Sequence, residues 1–213
     1  MKKETRRDFC LAAVMGAAFL LWTAAVKTVD VRAIGPQGSE VGFGALNRFV
    51  HELTGVHFAL YTVTDWLSLI PLGLVMGFAL LGLGQWIRRR QLRKVDFDIL
   101  ALGGFYILVM AFFALFEVWA VNYRPVLIDG VLEASYPSST TMLVLCVMLT
   151  AAMQAHRRIK SEGVRRFVVA AMAAFTVFMV AARLLSGVHW VTDIIGGVFL
   201  SAALVGLYRA VVK

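Results

Sequence analysis

Acidic residues are scarce in this chain. Only 13 Asp and Glu stand against 21 Lys and Arg, and charged residues make up 16% of the 213. With 60% apolar residues and a mean hydropathy of +0.79, the composition excludes a soluble enzyme and points to an integral-membrane domain. Cysteine is nearly missing. Cys10 and Cys146 both fall within apolar runs, where a small hydrophobe packs well, so no disulfide framework is implied. No internal repeat, low-complexity tract or second soluble domain interrupts the sequence, which reads as one domain over 1–213. No small-residue cleavage site follows Val26, so the first apolar run reads as a retained helix and not as a signal peptide. Apart from Asp65 and Glu117, the centres of the apolar runs carry no charge, which argues against a transporter lined by polar residues.

Spanning a bilayer takes about 20 apolar residues per helix. Candidate spans run over 9–26, 58–86, 98–121, 138–155, 167–185 and 190–211, which predicts an all-α polytopic bundle of six transmembrane helices. The basic residues cluster before span one (Lys2, Lys3, Arg6, Arg7), between spans two and three (Arg88, Arg89, Arg90, Arg93, Lys94), and between spans four and five (Arg157, Arg158, Lys160, Arg165, Arg166). With Arg209 and Lys213, sixteen of the 21 fall on one side, which the positive-inside rule makes cytoplasmic. Both termini are then expected inside. The net charge of +8 reflects this topology and the anionic inner leaflet, so nucleic acid is not an expected partner. Residues 27–57 are expected outside. Ala45, Leu46, Phe49, Val50 and Leu53 recur there at helical spacing, which predicts a helix in the outer interface that either packs over the bundle or walls a lipid entrance.

The stretch Ala182-Arg183-Leu-Leu-Ser-Gly-Val-His189-Trp-Val-Thr-Asp193 places arginine, histidine and aspartate where an apolar run ends. Such residues are costly in a bilayer protein, so function is the first explanation. An arginine can fork onto phosphate oxygens. A neutral imidazole can attack phosphorus, and a carboxylate four residues on lies one helical turn away, where it can hold the other ring N–H. This is phosphoryl-transfer chemistry that needs no metal or other cofactor. A structural histidine paired with Asp193, with Arg183 reaching to headgroups, would use the same residues.

Upstream, Asn122-Tyr-Arg124-Pro125 follows one apolar run, and Ser135-Tyr-Pro137-Ser138-Ser139-Thr140-Thr141 opens the next. With these the chain resembles the type 2 phosphatidic acid phosphatase (PAP2) superfamily, whose three motifs read K-x6-RP, PSGH and SR-x5-H-x3-D. Arg124-Pro125, Pro137-Ser138 and Arg183-x5-His189-x3-Asp193 match in order and spacing. The resemblance implies that His189 is the nucleophile and forms a phosphohistidine, that Asp193 orients it, and that Arg124 and Arg183 clamp phosphate. It also implies a lipid phosphate or lipid pyrophosphate as substrate at the outer face. Ser138 and Ser139 sit at a helix start that is either an anion site or a plain N-cap.

Four positions depart from the family pattern. Glu117 stands where the family has lysine, Ser139 where it has glycine, Thr140 where it has histidine, and Ala182 where it has serine. The family's histidine at the Thr140 position protonates the leaving oxygen, which a threonine cannot do, so the chain is either a phosphatase suited to good leaving groups or an impaired, lipid-phosphate-binding member. Glu117 is expected to pair with a motif arginine, or else to act as a substitute acid; His51 and His57 are further candidates on the same side.

Overall fold

The structure, a computed structural model, describes residues 3–213. Of the basic N-terminal flank, Lys2 lies outside the described residues. Eight helices form from the apolar runs: α1 (Lys3–Thr28), α2 (Gly44–Thr54), α3 (Phe58–Leu67), α4 (Leu69–Arg89), α5 (Phe97–Val118), α6 (Ser139–Arg158), α7 (Glu162–Leu185) and α8 (Val191–Val211). A two-stranded antiparallel pair, β1 (Arg32–Ala33) and β2 (Glu40–Val41), lies between α1 and α2. Six segments are long and apolar enough to cross a membrane: α1, α3 with α4, α5, α6, α7 and α8. The chain is therefore an all-α, multi-pass membrane protein.

Three elements differ from expectation. The second span is broken at Ser68. Pro71 has no N–H to offer the Leu67 carbonyl, and the Ser68 hydroxyl bonds back to the Asp65 carbonyl, so the helix is interrupted within its apolar run. Helix α5 stops at Val118, three residues short of the predicted 121, because Trp119 leaves helical backbone (φ −102°, ψ 78°). Helix α2 forms as its periodicity predicts, but its apolar stripe does not pack over the bundle. Leu46, Phe49 and Leu53 are exposed, and the polar Asn47 is the buried contact, bonding the Gly42 carbonyl and Thr192 Oγ1 at 2.7 and 3.0 Å. An apolar face turned outward suits a helix lying in a membrane interface.

Helices α6 and α8 are the most buried spans, and α8 runs along α1 and α6. Phe19, Phe105, Phe116, Met142, Cys146 and Leu204 interlock in the core with Tyr136. Between helices in a bilayer it is close packing, not water exclusion, that holds such a seam. Gly196 of α8 illustrates it, since a Cβ there would sit 2.5 Å from the Tyr136 ring.

One end of the bundle is tied by charge. Arg89 meets Asp96 at 2.8 Å, Arg158 meets Asp98 at 3.1 Å, and Lys213 meets the buried Asp8 at 2.7 Å. These pairs tie the basic ends of α4, α6 and α8 to the starts of α5 and α1. The motif residues all lie at the opposite end.

Candidate active site

Three chain segments meet at that opposite end: the stretch between α5 and α6, the start of α6, and the α7–α8 turn. The turn is fixed by Gly187, whose φ of +68° and close approach to the Gly55 carbonyl, 1.9 Å from where a Cβ would be, leave room for glycine alone. Beside it His57 N–H donates to the Ser186 carbonyl at 2.9 Å. The turn delivers His189 into the protein, where it is 3% exposed.

The imidazole is addressed from both sides. Arg124 Nη1 stands 3.2 Å from His189 Nε2, and Asp193 Oδ2 lies 3.8 Å from Nδ1. A guanidinium can only donate, so Nε2 accepts and the proton belongs on Nδ1, toward Asp193. Burial first, then the charges of Arg124 and Arg183, push the His189 pKa well below the usual imidazole value. The ring is thus neutral at pH 7, with the Nε2 lone pair that a nucleophile needs.

Asp193 differs from its sequence-based role in one respect. At 3.8 Å it is beyond hydrogen-bond reach of the imidazole. Its oxygens instead accept from the Trp190 backbone N–H at 3.0 Å and from Asn122 Nδ2 at 3.1 Å. It therefore caps α8 and anchors the α5–α6 stretch.

Arg183 is 2% exposed. Its Nη1 donates to Thr64 Oγ1 at 3.2 Å, and its guanidinium carbon lies 4.9 Å from the centre of the Tyr61 ring. Both partners belong to α3, so the first half of the broken span braces the second arginine. Arg124 sits in a short hairpin, not at a helix end: Tyr123 bridges Ala134, and Arg124 Nε donates to Glu133 Oε2 at 2.9 Å.

Ser138 caps α6, accepting the Thr141 N–H at 3.4 Å, while its own N–H donates to the Asp193 carbonyl at 3.0 Å. The N-cap reading of this serine is realised, and the same bond sets the α6 N-terminus against the His189 turn. The orphan N–H groups of that first turn remain suited to an anion.

Ser139 and Thr140, next in the chain, turn toward the side of the bundle. Thr140 lines an apolar groove with Leu72, Val109, Met110, Phe113 and Leu143. Glu117 is not where its expected role requires. Among the described residues it forms no ion pair, and it shares a crevice with Ser135, Pro137 and Ser139, because the last turn of α5 faces the α6 start and not the arginines. The carboxylate that pairs with Arg124 is Glu133, which sequence reasoning missed, as it missed Asn122, Thr64 and Tyr61.

The chain is similar over 93% of its length, and 94% of the other's, to the crystal structure of a transmembrane PAP2-type phosphatidylglycerolphosphate phosphatase from Bacillus subtilis, with a TM-score of 0.63 and 19% identity. That likeness establishes the fold. No curated protein sequence matches the chain. The sequence profile of the PAP2 superfamily matches residues 104–213, which include all three motif segments and just over half of the chain. With the profile match and a shared fold, this chain belongs to the PAP2 superfamily.

Proposed function

We propose that the protein is a lipid phosphate or lipid pyrophosphate phosphatase that works through a phosphohistidine at the extracytoplasmic face of a bacterial plasma membrane. The observation that carries this reading is the buried, neutral His189 with Nε2 facing Arg124 and Nδ1 facing Asp193. Nε2 attacks phosphorus as the bond to the leaving oxygen breaks. The phosphoimidazole so formed gains positive charge, which Asp193 balances. Water then displaces the imidazole, releasing phosphate and returning Nε2 to its starting form. Arg124, Arg183 and the α6 N-terminus bear on the non-bridging oxygens, where charge gathers in a loose transition state.

Two features shape the substrate. The apolar groove beside Thr140 opens among exposed side chains such as Leu72 and Met110, a setting for lipid tails. Thr140 supplies no proton, so a leaving phosphate, stable as an anion, suits the site better than a leaving alkoxide. Thr140 also favours a second reading, a member that binds lipid phosphate with little turnover. Phosphate release from a panel of lipid monophosphates and pyrophosphates by detergent-purified protein separates the two.

The clamp is tested by binding. Arg124→Ala and Arg183→Ala should each weaken vanadate binding about ten- to a hundredfold, the scale of a lost charge-assisted contact of about 1.5–3 kcal/mol. Arg48→Ala, an exposed arginine of α2, should change it little. Equal effects at all three would make the site an unspecific basic surface. Sidedness is tested in a variant freed of Cys10 and Cys146: a cysteine at Val131 should react with an impermeant reagent on intact cells, and one at Arg90 should not. Reversed labelling would put the site inside.

A further inference from the structure

Arg124 is held at two places. Its Nε donates to Glu133 Oε2 at 2.9 Å, and its Nη1 approaches His189 Nε2 at 3.2 Å and the Val188 carbonyl at 3.4 Å. Nε–H and Nη1 project from opposite sides of the planar guanidinium. The carboxylate and the imidazole therefore grip it from opposite sides. Burial divides the same way, with the His189 side chain 1% exposed and that of Glu133 40%.

Backbone register sets the carboxylate in place. Arg124 N–H donates to the Glu133 carbonyl at 3.0 Å, and Tyr123 bridges Ala134. The chain reverses between Ile128 and Val131 through Asp129 and Gly130, with φ of 50° and 79°, the left-handed pair that a tight hairpin turn uses. Arg124 and Glu133 are thus cross-strand neighbours on a hairpin that ends at the α6 start.

We propose that Glu133 is a positioning residue: it fixes the Nε side of Arg124 so that the Nη groups face a phosphate held at His189. This rests on the reading of the site as a phosphoryl-transfer centre. An arginine on irregular backbone loses much rotamer freedom when it binds an anion, and a group that orders it beforehand removes that cost from binding. The carboxylate also subtracts from the positive potential, but at 40% exposure solvent and salt screen it. Orientation, which screening does not weaken, is the larger effect.

The test is a double-mutant cycle read by vanadate binding. Glu133→Ala should weaken binding about fivefold in the parent and less than about twofold in Arg124→Ala, because neighbours that act through one another couple. Glu133→Gln should recover most of the loss, since its amide oxygen can still accept from Nε; this variant also keeps the side chain's bulk if the alanine protein folds poorly. Glu133→Ala that tightens vanadate binding would make the carboxylate a competitor of the anion and overturn the proposal, as would effects that simply add. If Arg124→Ala weakens binding and Glu133→Ala does not, this proposal alone falls. If neither does, the phosphate-site reading falls with it.

Discussion

His189→Ala is expected to remove turnover almost entirely, by a factor on the order of 10⁶ in kcat, the loss seen when a nucleophile that acts as a unit with its partners is deleted. The expectation follows from a ring buried on all sides, whose Nε2 has Arg124 as its neighbour and whose Nδ1 faces a carboxylate. No other described side chain of the site combines a lone pair at neutral pH with such a setting. Arg124→Ala added to His189→Ala should cost little more, because the arginine stabilises a transition state that no longer forms. Vanadate binding should survive in His189→Ala to within about tenfold, since both arginines and the α6 N-terminus remain. Stopped turnover with retained binding separates lost chemistry from lost folding. Turnover that persists in the variant would assign attack to water or to another residue.

The second large effect is a gain. Thr140→His should raise turnover of a lipid phosphomonoester by about 10²–10⁴, the usual contribution of a general acid. Thr140 is 9% exposed and lines a groove of about 200 Å³, so a larger ring can be accommodated. It follows Ser138 and Ser139 at the α6 start, which the Ser138–Asp193 bond sets beside the nucleophile's turn. The gain should be smaller for a pyrophosphate, whose leaving group needs less protonation. His189→Ala in that background should abolish it, since an acid cannot act without a nucleophile. A Thr140→His protein that binds vanadate yet stays slow would implicate Glu117. The carboxylate standing where the family has lysine would then be what disables the site, and Glu117→Lys would be needed for rescue.

What could be read from the sequence divides along physical lines. Six apolar runs long enough to span a bilayer announce six spans, and their fixed hydrophobic length left little freedom in the bundle. Arg183, His189 and Asp193 were legible because they share one turn and its flanks, where spacing along the chain is spacing in the molecule. Glu117 was misplaced for the opposite reason: seven residues before Arg124 says nothing once the helix stops at Val118 and the chain turns. Glu133 and Thr64 reach their arginines across a hairpin and between helices, contacts that no periodicity encodes. One signal was present, the Asp129-Gly130 dipeptide, a strong hairpin marker that would have paired Arg124 with residues near 133. Helix α2 was found by its stripe and read as interfacial, but the stripe alone does not say whether that face packs over the bundle or turns away from it, so its outward turn was not legible.

The central claim is a covalent bond between His189 and phosphorus. It is tested most directly by quenching the protein at alkaline pH during turnover of a phosphorus-labelled lipid phosphate or pyrophosphate and mapping the label by peptide. The account predicts labelled phosphate on the peptide that contains His189, more of it in Thr140→His if hydrolysis of the intermediate then limits the rate, and none in His189→Ala. Turnover with no protein-bound label, or label on any other residue, would contradict it.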